Sequence, residues 1–201
     1  MGTRNLTAVF KDNKYIVAQY GQWDGYPSCA GKTILEFISN PSNVEKLKQK
    51  LNVCRWITQE ELNEAYKKAE VPENSMFVNM KQLAIVNELL PFLNRDIGYS
   101  ILSCIANCEA PEILLKDSIG FANDSLFCEY GYVIDLDKNT FEIYEGYNKK
   151  PLKQDERFYN PAINNAEYYP IKHLKTYPLN KLPNEESFLK EIEELELESE
   201  E

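Results

Sequence analysis

The segment 19–27, which reads Gln-Tyr-Gly-Gln-Trp-Asp-Gly-Tyr-Pro, concentrates side chains that a plain connector does not need. Its candidate ligand-binding residues are Gln19, Tyr20, Gln22, Trp23, Asp24 and Tyr26. Aromatic rings can stack on a planar molecule, while amides and a carboxylate can hydrogen-bond to its edge. This set is typical of a site for a planar, polar small molecule, and we predict the working surface of the protein here.

A purely structural interpretation of the same loop stays open. Trp23 and Tyr26 can also cap the end of a sheet, with Asp24 and Gly25 forming a turn. Gly21 and Gly25 fit either interpretation, since glycine permits a sharp turn and also a close approach of backbone to a ligand.

Two cations are expected near this loop. If the first two strands pair about a turn at 11–14, Asn5 falls near the loop and brings Arg4 with it. The planar guanidinium suits phosphate or carboxylate. Lys32, in the first turn of the next helix, could add to an anion site formed by free backbone N–H groups. Surface salt bridges are the alternative for both residues.

Other chemistry-bearing residues give weaker signals. His173 is the only histidine, which excludes multi-histidine metal centres. Asp135 and Asp137 have a spacing that could hold Mg²⁺, but a hairpin turn explains them better. The odd count of five cysteines indicates reduced thiols. No phosphate loop or dinucleotide glycine motif is present, so we predict neither a metal site nor a cofactor.

Hydrophobic patterns predict the elements that position these residues. Strands are expected at 6–10, 15–20, 126–136, 140–147 and 168–177, and helices at 32–39, 42–52 and 58–69. The run 81–107 is apolar on most sides, with breaks at Pro91 and Gly98, and we expect it to form a buried helical layer. Residues 148–167 form a long loop.

The order β-β-α-α-β-β predicts an α+β fold, an antiparallel sheet with helices on at least one face. We expect one domain over 1–184, followed by an acidic helix in 185–201 that is frayed from Leu197. This last segment contains nine Glu and one Lys, which is −8 of the net −10, and its charge suits a solvated end.

Charge and hydropathy limit the partners. The body is nearly neutral and shows no basic face, so we expect no extended nucleic acid, although one basic pocket for a small anion is compatible with it. No apolar stretch is long enough to cross a membrane and no signal peptide is recognisable, so we expect no membrane partner and a cytoplasmic location.

The residues 2–7 (GTRNLT) and 18–27 (AQYGQWDGYP) resemble the opening of a largely uncharacterised family from bacteriophages, bacteria and fungi. The likeness covers about the first 35 residues. Cys29 departs from the pattern, because members commonly have glycine there. The resemblance implies a phage context and a site at the loop, without implying a reaction.

The fold order, with Thr3 ahead of a hairpin, is also similar to that of N-terminal-nucleophile hydrolases. In that class the first residue of the mature chain attacks and its own amine acts as base. The resemblance would make Thr3 the catalytic residue after removal of Met1 and Gly2.

Three functional hypotheses follow. The first is a non-enzymatic protein, plausibly phage-encoded, that sequesters a small anionic or nucleotide-like ligand and so antagonises host defence signalling. The second is an amidohydrolase that uses Thr3. The third is an inhibitor of a host protein that acts through the acidic tail or through 148–167; self-association of the chain also stays open.

Overall fold

Two β-hairpins lie side by side in one five-stranded sheet. The computed structural model describes residues 2–72, 75, 78–164 and 166–200. The strands are β1 (Asn5–Lys11), β2 (Lys14–Gly21), β3 (Cys54–Trp56), β4 (Ile113–Leu115), β5 (Tyr130–Asp135), β6 (Thr140–Glu145) and β7 (Lys172–Pro178). The five-stranded sheet has the order β2-β1-β5-β6-β7, while β3 and β4 form a separate parallel pair.

Both predicted hairpins are confirmed, and their turns explain why. Asp12 and Asn13 have φ values of 53° and 60°, and Asn139 has a φ of 60°. Asn and Asp tolerate this left-handed backbone because their short side chains hydrogen-bond locally. The turns also touch each other, since the Asp137 carboxylate accepts from the backbone N–H groups of Asp12 and Asn13, each at 2.9 Å.

The sheet is mostly antiparallel, as predicted, but it contains one parallel pair at its centre. β1 and β5 are parallel, with Thr7 opposite Tyr132 and Val9 opposite Ile134. The chain between the two hairpins returns to the edge of the sheet at which β1 begins, so β5 starts there in the same direction. The remaining pairs are antiparallel, and the mixed α+β class is as predicted.

Helices cover one face of the sheet, as predicted. They are α1 (Lys32–Ser39), α2 (Pro41–Lys50), α3 (Gln59–Lys68), α4 (Met80–Leu89), α5 (Ile101–Ala106) and α6 (Glu185–Glu200). The larger core cluster is formed by residues of α1, α2, α5 and α6 and by inward-facing strand residues such as Val9, Ile134 and Phe141. Within the described residues, no helix is long and apolar enough to span a membrane.

The apolar run 81–107 divides into two helices with different environments. In α5, Ile101, Leu102 and Ile105 are buried, which confirms the predicted helical layer there. In α4 only Val86 is buried and Met80 is 82% exposed, so the expectation of burial is wrong for α4. Breaks around Pro91 and Gly98 separate the two helices and let α4 turn away from the core.

The acidic C-terminal segment is part of the domain rather than an appendage. Phe188 and Ile192 on α6 are buried in the larger cluster. The helix runs to Glu200 and does not fray at Leu197 as expected. Its acidic side chains therefore surround one apolar stripe that the sheet covers.

The other face of the sheet is covered by irregular chain. Residues 119–128 and 148–171 place Ala122, Phe158 and Ile171 against Leu6 and Val133. The described part of 148–167 contains neither helix nor strand, in agreement with the predicted long loop, while the strand predicted from 168 begins only at Lys172.

Arg157 fixes this loop to the sheet through two buried carboxylates. Its guanidinium donates to Asp135 and, at 2.6 and 2.8 Å, to the two oxygens of Glu142. Glu142 also accepts from the Tyr144 hydroxyl at 2.6 Å. The side chains of Asp135 and Glu142 are only 1% and 8% exposed, so each depends on Arg157 for its counter-charge. Asp135, which we considered as a Mg²⁺ ligand, is thus engaged by Arg157.

We predict that Arg157→Met lowers the free energy of unfolding by about 3–5 kcal/mol near neutral pH, because it leaves two buried carboxylates without a cation. Urea denaturation would measure the loss. Lys190→Met, at an exposed position on α6, is the control and should change stability by less than about 0.5 kcal/mol.

Acidification should reduce the difference between wild type and Arg157→Met. Burial raises the pKa of Glu142, but hydrogen bonds from Arg157 and Tyr144 outweigh it and leave the pKa below the usual 4.5. Above about pH 4.5, ionised Glu142 therefore contributes to the stability of the wild type, and this contribution is lost as the pH falls through the lowered pKa. Without Arg157, only the hydrogen bonds from Tyr144 and Thr140 oppose the effect of burial, so the pKa of Glu142 is higher than in the wild type. An unchanged difference between about pH 7 and about pH 4 would contradict this role.

Candidate functional site

The loop 19–27 is held against the N-terminus by short backbone contacts. The Gly25 N–H donates to the Thr3 carbonyl at 2.9 Å, and the Asn5 side-chain amide donates to the Trp23 carbonyl at 3.3 Å. Asn5 lies opposite Gly21 in the hairpin, so Arg4 does lie beside the loop, as the turn at 11–14 predicted. A single π-type turn, Pro27–Gly31, then leads directly into α1.

The polar residues at the start of the loop lie at the edge of the sheet that β2 forms. The Tyr20 hydroxyl donates to Gln22 Oε1 at 2.5 Å, and its ring meets Phe121 edge-on with centroids 4.9 Å apart. The Gln19 side chain is nearly buried and donates to the Tyr20 carbonyl at 3.0 Å. Gln19 and Tyr20 both line a cavity of about 440 Å³.

Trp23 lies over the N-terminus and is half exposed. Its indole N–H donates to Asp96 Oδ1 at 3.3 Å, and a Cβ placed on Gly2 would fall 2.1 Å from the indole ring. Asp24, with a φ of 52°, is exposed at the bend of the loop. The position of Trp23 fits both the structural and the ligand-binding interpretation of the loop. Its ring covers Gly2 near the N-terminus, while its indole N–H points towards Asp96.

Tyr26 and Arg4 face a different part of the surface. The Tyr26 ring lies 6.1 Å from that of Tyr130, and it borders a cavity of about 680 Å³ together with Glu129. The Arg4 guanidinium lies 4.4 Å from the Phe127 ring centroid, and its Nε is 3.8 Å from Glu129 Oε1, an ion-pair distance too long for a hydrogen bond. Arg4 is thus already paired with a carboxylate and an aromatic ring.

Lys32 and Thr3 do not join the loop's cavities. Lys32 Nζ lies 2.7 Å from a carboxylate oxygen of Glu185 on α6, and this contact raises the pKa of Lys32. Thr3 is 4% exposed and lines neither the cavity beside Gln19 and Tyr20 nor the one beside Tyr26. The predicted residues consequently belong to several surfaces, and the structure does not bring all of them around one cavity.

A concave surface extends away from the loop beyond Tyr20. A second cavity, of about 590 Å³, adjoins the one beside Gln19 and Tyr20 and shares with it Leu93, Arg95, Lys116 and Asp117. We call the two together the Arg95–Lys116 groove. Its apolar end is lined by Trp56, Leu62, Tyr66, Leu83 and Val86.

The ends of two parallel strands position this groove. β3 and β4 pair with Trp56 opposite Leu115, so both strands end at the groove, and the Ile57 N–H donates to the Leu115 carbonyl at 2.8 Å. Directly after β4, the Ser118 N–H donates to the Ala18 carbonyl of β2 at 3.0 Å. This bond fixes Lys116 and Asp117 next to Gln19.

The charged side chains at the centre of the groove differ in whether they have an ion-pair or hydrogen-bond partner. Arg95 is 68% exposed and lies 3.8 Å from Asp96, which also accepts from Trp23. The Asp117 carboxylate accepts from the Ile119 N–H at 2.9 Å. Lys116 is exposed and forms no ion pair within 2–72, 75, 78–164 and 166–200. It is therefore the cation of the groove with the most freedom to bind an anion.

The N-terminus of α3 also borders the groove but is already compensated. Thr58 caps this helix in a reciprocal capping box with Glu61, and Glu60 adds a second carboxylate in the first turn. Acidic side chains there offset the positive end of the helix dipole. Any anionic ligand group is thus better placed at Lys116 than at α3.

Sequence reasoning missed most of this groove. Arg95 and Lys116 stand in polar segments without a motif, and they come together because β4 packs against the turn Pro91–Leu93. Trp56 was the usable signal, since a large aromatic residue comes directly before the capping box of α3.

Other candidate residues lie elsewhere. His173 Nε2 is 2.7 Å from the Thr176 hydroxyl on β7, and burial lowers the pKa of His173. Among the described residues no group of three or more His, Cys, Asp and Glu side chains could hold a metal ion. Cys29 is exposed at the π-type turn, and Cys128 is buried beneath the irregular layer.

Comparison with protein-family models, with curated proteins and with solved structures finds no significant match to this chain. The function must therefore be argued from the geometry of the site.

We predict that Gly25→Ala lowers the free energy of unfolding by about 1–3 kcal/mol, because its Cβ would fall 2.8 Å from the Thr3 carbonyl oxygen, a backbone atom with little freedom to move. Chemical denaturation of Gly25→Ala and of the control Gly120→Ala would test this. At Gly120 a Cβ meets nothing within 4 Å, so Gly120→Ala should be neutral or stabilising by up to about 1 kcal/mol. Equal effects at both positions would show that the loop is not fixed as described.

Proposed function

We propose that this protein binds a small anionic, nucleotide-like molecule in the Arg95–Lys116 groove and sequesters it without converting it. The observation on which this rests is the continuity of the two cavities, with Lys116 and Arg95 at their junction. A cation between two ring-lined ends suits a ligand with an anionic group between two flat or apolar parts.

The dimensions of the groove support a small molecule. Each cavity, at about 590 and 440 Å³, lies in the range of ordinary ligand pockets, roughly 300–1,000 Å³. The apolar end offers Trp56 and Tyr66 for stacking, and the other end offers Phe121 and the Tyr20 ring. Gln19 adds a polar group beside that second ring.

The charge pattern favours one anionic group over a polyanion. Arg95 and Lys116 share the junction with Asp96 and Asp117, so the groove has no large excess of positive charge. Binding of extended nucleic acid normally requires several cations along a track. A single phosphate or carboxylate, held mainly by Lys116, fits this balance better.

Sequestration is preferred to catalysis because the groove lacks an activated nucleophile. The lining residues include no histidine or cysteine, and the carboxylates of Asp96 and Asp117 already accept hydrogen bonds from the protein. Together with the family resemblance of residues 2–7 and 18–27, this leads us to propose antagonism of a host signalling molecule. The place of action would be the cytoplasm, that of the host if the chain is phage-encoded.

We predict that a panel of mononucleotides, cyclic nucleotides and ADP-ribose derivatives contains a ligand detectable by thermal shift and calorimetry. For that ligand, Lys116→Ala should weaken binding roughly tenfold or more, because a charge-assisted hydrogen bond contributes about 1.5–3 kcal/mol. Lys190→Ala removes the same charge from α6 and should leave Kd unchanged.

Tyr66→Ala tests the ring-binding end separately. It should weaken ligands with a base or another ring more than inorganic phosphate, whereas Tyr159→Ala, at a 40% exposed ring outside the groove, should affect neither. Absence of binding across the whole panel, or an unchanged Kd in Lys116→Ala, would refute the proposed site.

A further inference from the structure

Helix α4 presents an apolar surface to solvent. Of its ten residues only Val86 is buried. Met80 and Leu83 are exposed but line the groove, whereas Ile85 and Leu89, which are 40% and 42% exposed, lie outside it. Its principal packing partners are α3 and the turn Pro91–Leu93. Exposed apolar patches of this kind commonly mark an interaction surface.

The helix is also too short to be stable on its own propensity. Isolated helices of fewer than about 12–15 residues are marginal in water, and most helix stability in proteins comes from packing of an apolar face. The capping box at Asn79 and Gln82 supports the first turn of α4, but it does not cover the apolar side chains. A partner on the open face would supply the missing burial.

Helical geometry defines which residues lie on that face. At 100° per residue, Lys81, Ala84, Ile85 and Glu88 form a stripe on the side away from Val86. Lys81 and Glu88 are both exposed, and neither forms an ion pair within the described part of the chain. They are seven residues apart, about two turns, so they do not reach each other within one helix.

The arrangement of this stripe is complementary to itself. If two copies of α4 pair antiparallel about a two-fold axis between Ala84 and Ile85, Lys81 of each faces Glu88 of the other. Ala84 and Ile85 then meet their own copies near the axis, and the small Ala84 permits close approach. In an isologous interface every contact occurs twice, so one charge pair in the sequence gives two in the dimer.

We propose that the protein forms a homodimer through the outward face of α4, with Lys81 of each protomer paired to Glu88 of the other. A second copy is preferred to a different protein because both members of the charge pair lie on the same helix. One helix pair is a small interface, below about 1,200 Å², so the dimer is weak, with an expected Kd on the order of 10 μM. The groove lies on the opposite side of α4 and stays open.

Sedimentation velocity of the full chain from about 2 to about 500 μM tests the proposal, since this range brackets the expected Kd. Lys81→Glu and Glu88→Lys should each weaken self-association about tenfold or more, because each places like charges opposite one another twice. An equimolar mixture of the two variants should form a heterodimer, and the double variant should dimerise again, since both arrangements restore opposite charges.

The control is Lys190→Glu, which changes the net charge as Lys81→Glu does but lies on α6 and should dimerise like the wild type. Circular dichroism of each variant checks that the fold is retained. A wild type that is monomeric at the highest concentration overturns the proposal and leaves α4 to a different protein. A dimer that is insensitive to both charge reversals, or a mixture that stays monomeric, also overturns it.

Discussion

The parallel pairing of β1 with β5 is the constraint on which the rest of this structure depends. Each hairpin alone is a two-stranded unit, which is marginally stable in water. The β1–β5 ladder joins the two hairpins into one sheet with two buried faces. Since a parallel pair requires a long crossover, the chain from 22 to 129 must return to the edge where β1 starts. That return places the helices, the groove and the loop 19–27 next to one another.

Tyr132 transmits this constraint to the loop. It lies opposite Thr7 in the parallel ladder, is fully buried, and donates its hydroxyl to the Gly25 carbonyl at 2.8 Å. Burial raises its pKa, so the hydroxyl remains a proton donor at all ordinary pH values. Its ring is also stacked on Phe141, which is stacked on Phe188 of α6. The loop and the C-terminal helix are therefore linked by one row of rings.

Local sequence patterns predict most of the strands and helices. They predict neither the parallel pairing of β1 with β5 nor the exposure of α4. The hairpins at Asp12–Asn13 and Asn139 follow from residues that accept positive φ, and α3 follows from its capping box. The parallel β1–β5 pair depends on where the crossover returns, which no short pattern specifies. The burial of α4 was mispredicted because an apolar composition shows that a helix can be covered, but not that this chain covers it.

The candidate site could be predicted only in part, because local patterns do not specify contacts between segments that are distant in sequence. The register of β1 with β2 correctly placed Arg4 beside the loop. Its partner Glu129, directly before β5, is distant in sequence, so the engagement of Arg4 could not be foreseen. Lys32 is similar, because Glu185 reaches it only after α6 has packed on the sheet. A cation predicted from the sequence is a good candidate for anion binding when folding leaves it without a carboxylate partner, and within the part of the chain that the structure describes Lys116 meets that condition.

Helix α4 connects the two proposals physically. Leu83 and Val86 line the groove, whereas Lys81 and Glu88 lie on the outward face. A short helix with little burial is stabilised by a ligand on one side or by a second protomer on the other. If one of them has already ordered α4, the other binds without that entropic cost. The two proposals together imply that ligand binding and dimerisation would be positively coupled, and by linkage each would strengthen the other by the same factor. Such coupling would make sequestration steeper with protein concentration than a monomeric binder would allow.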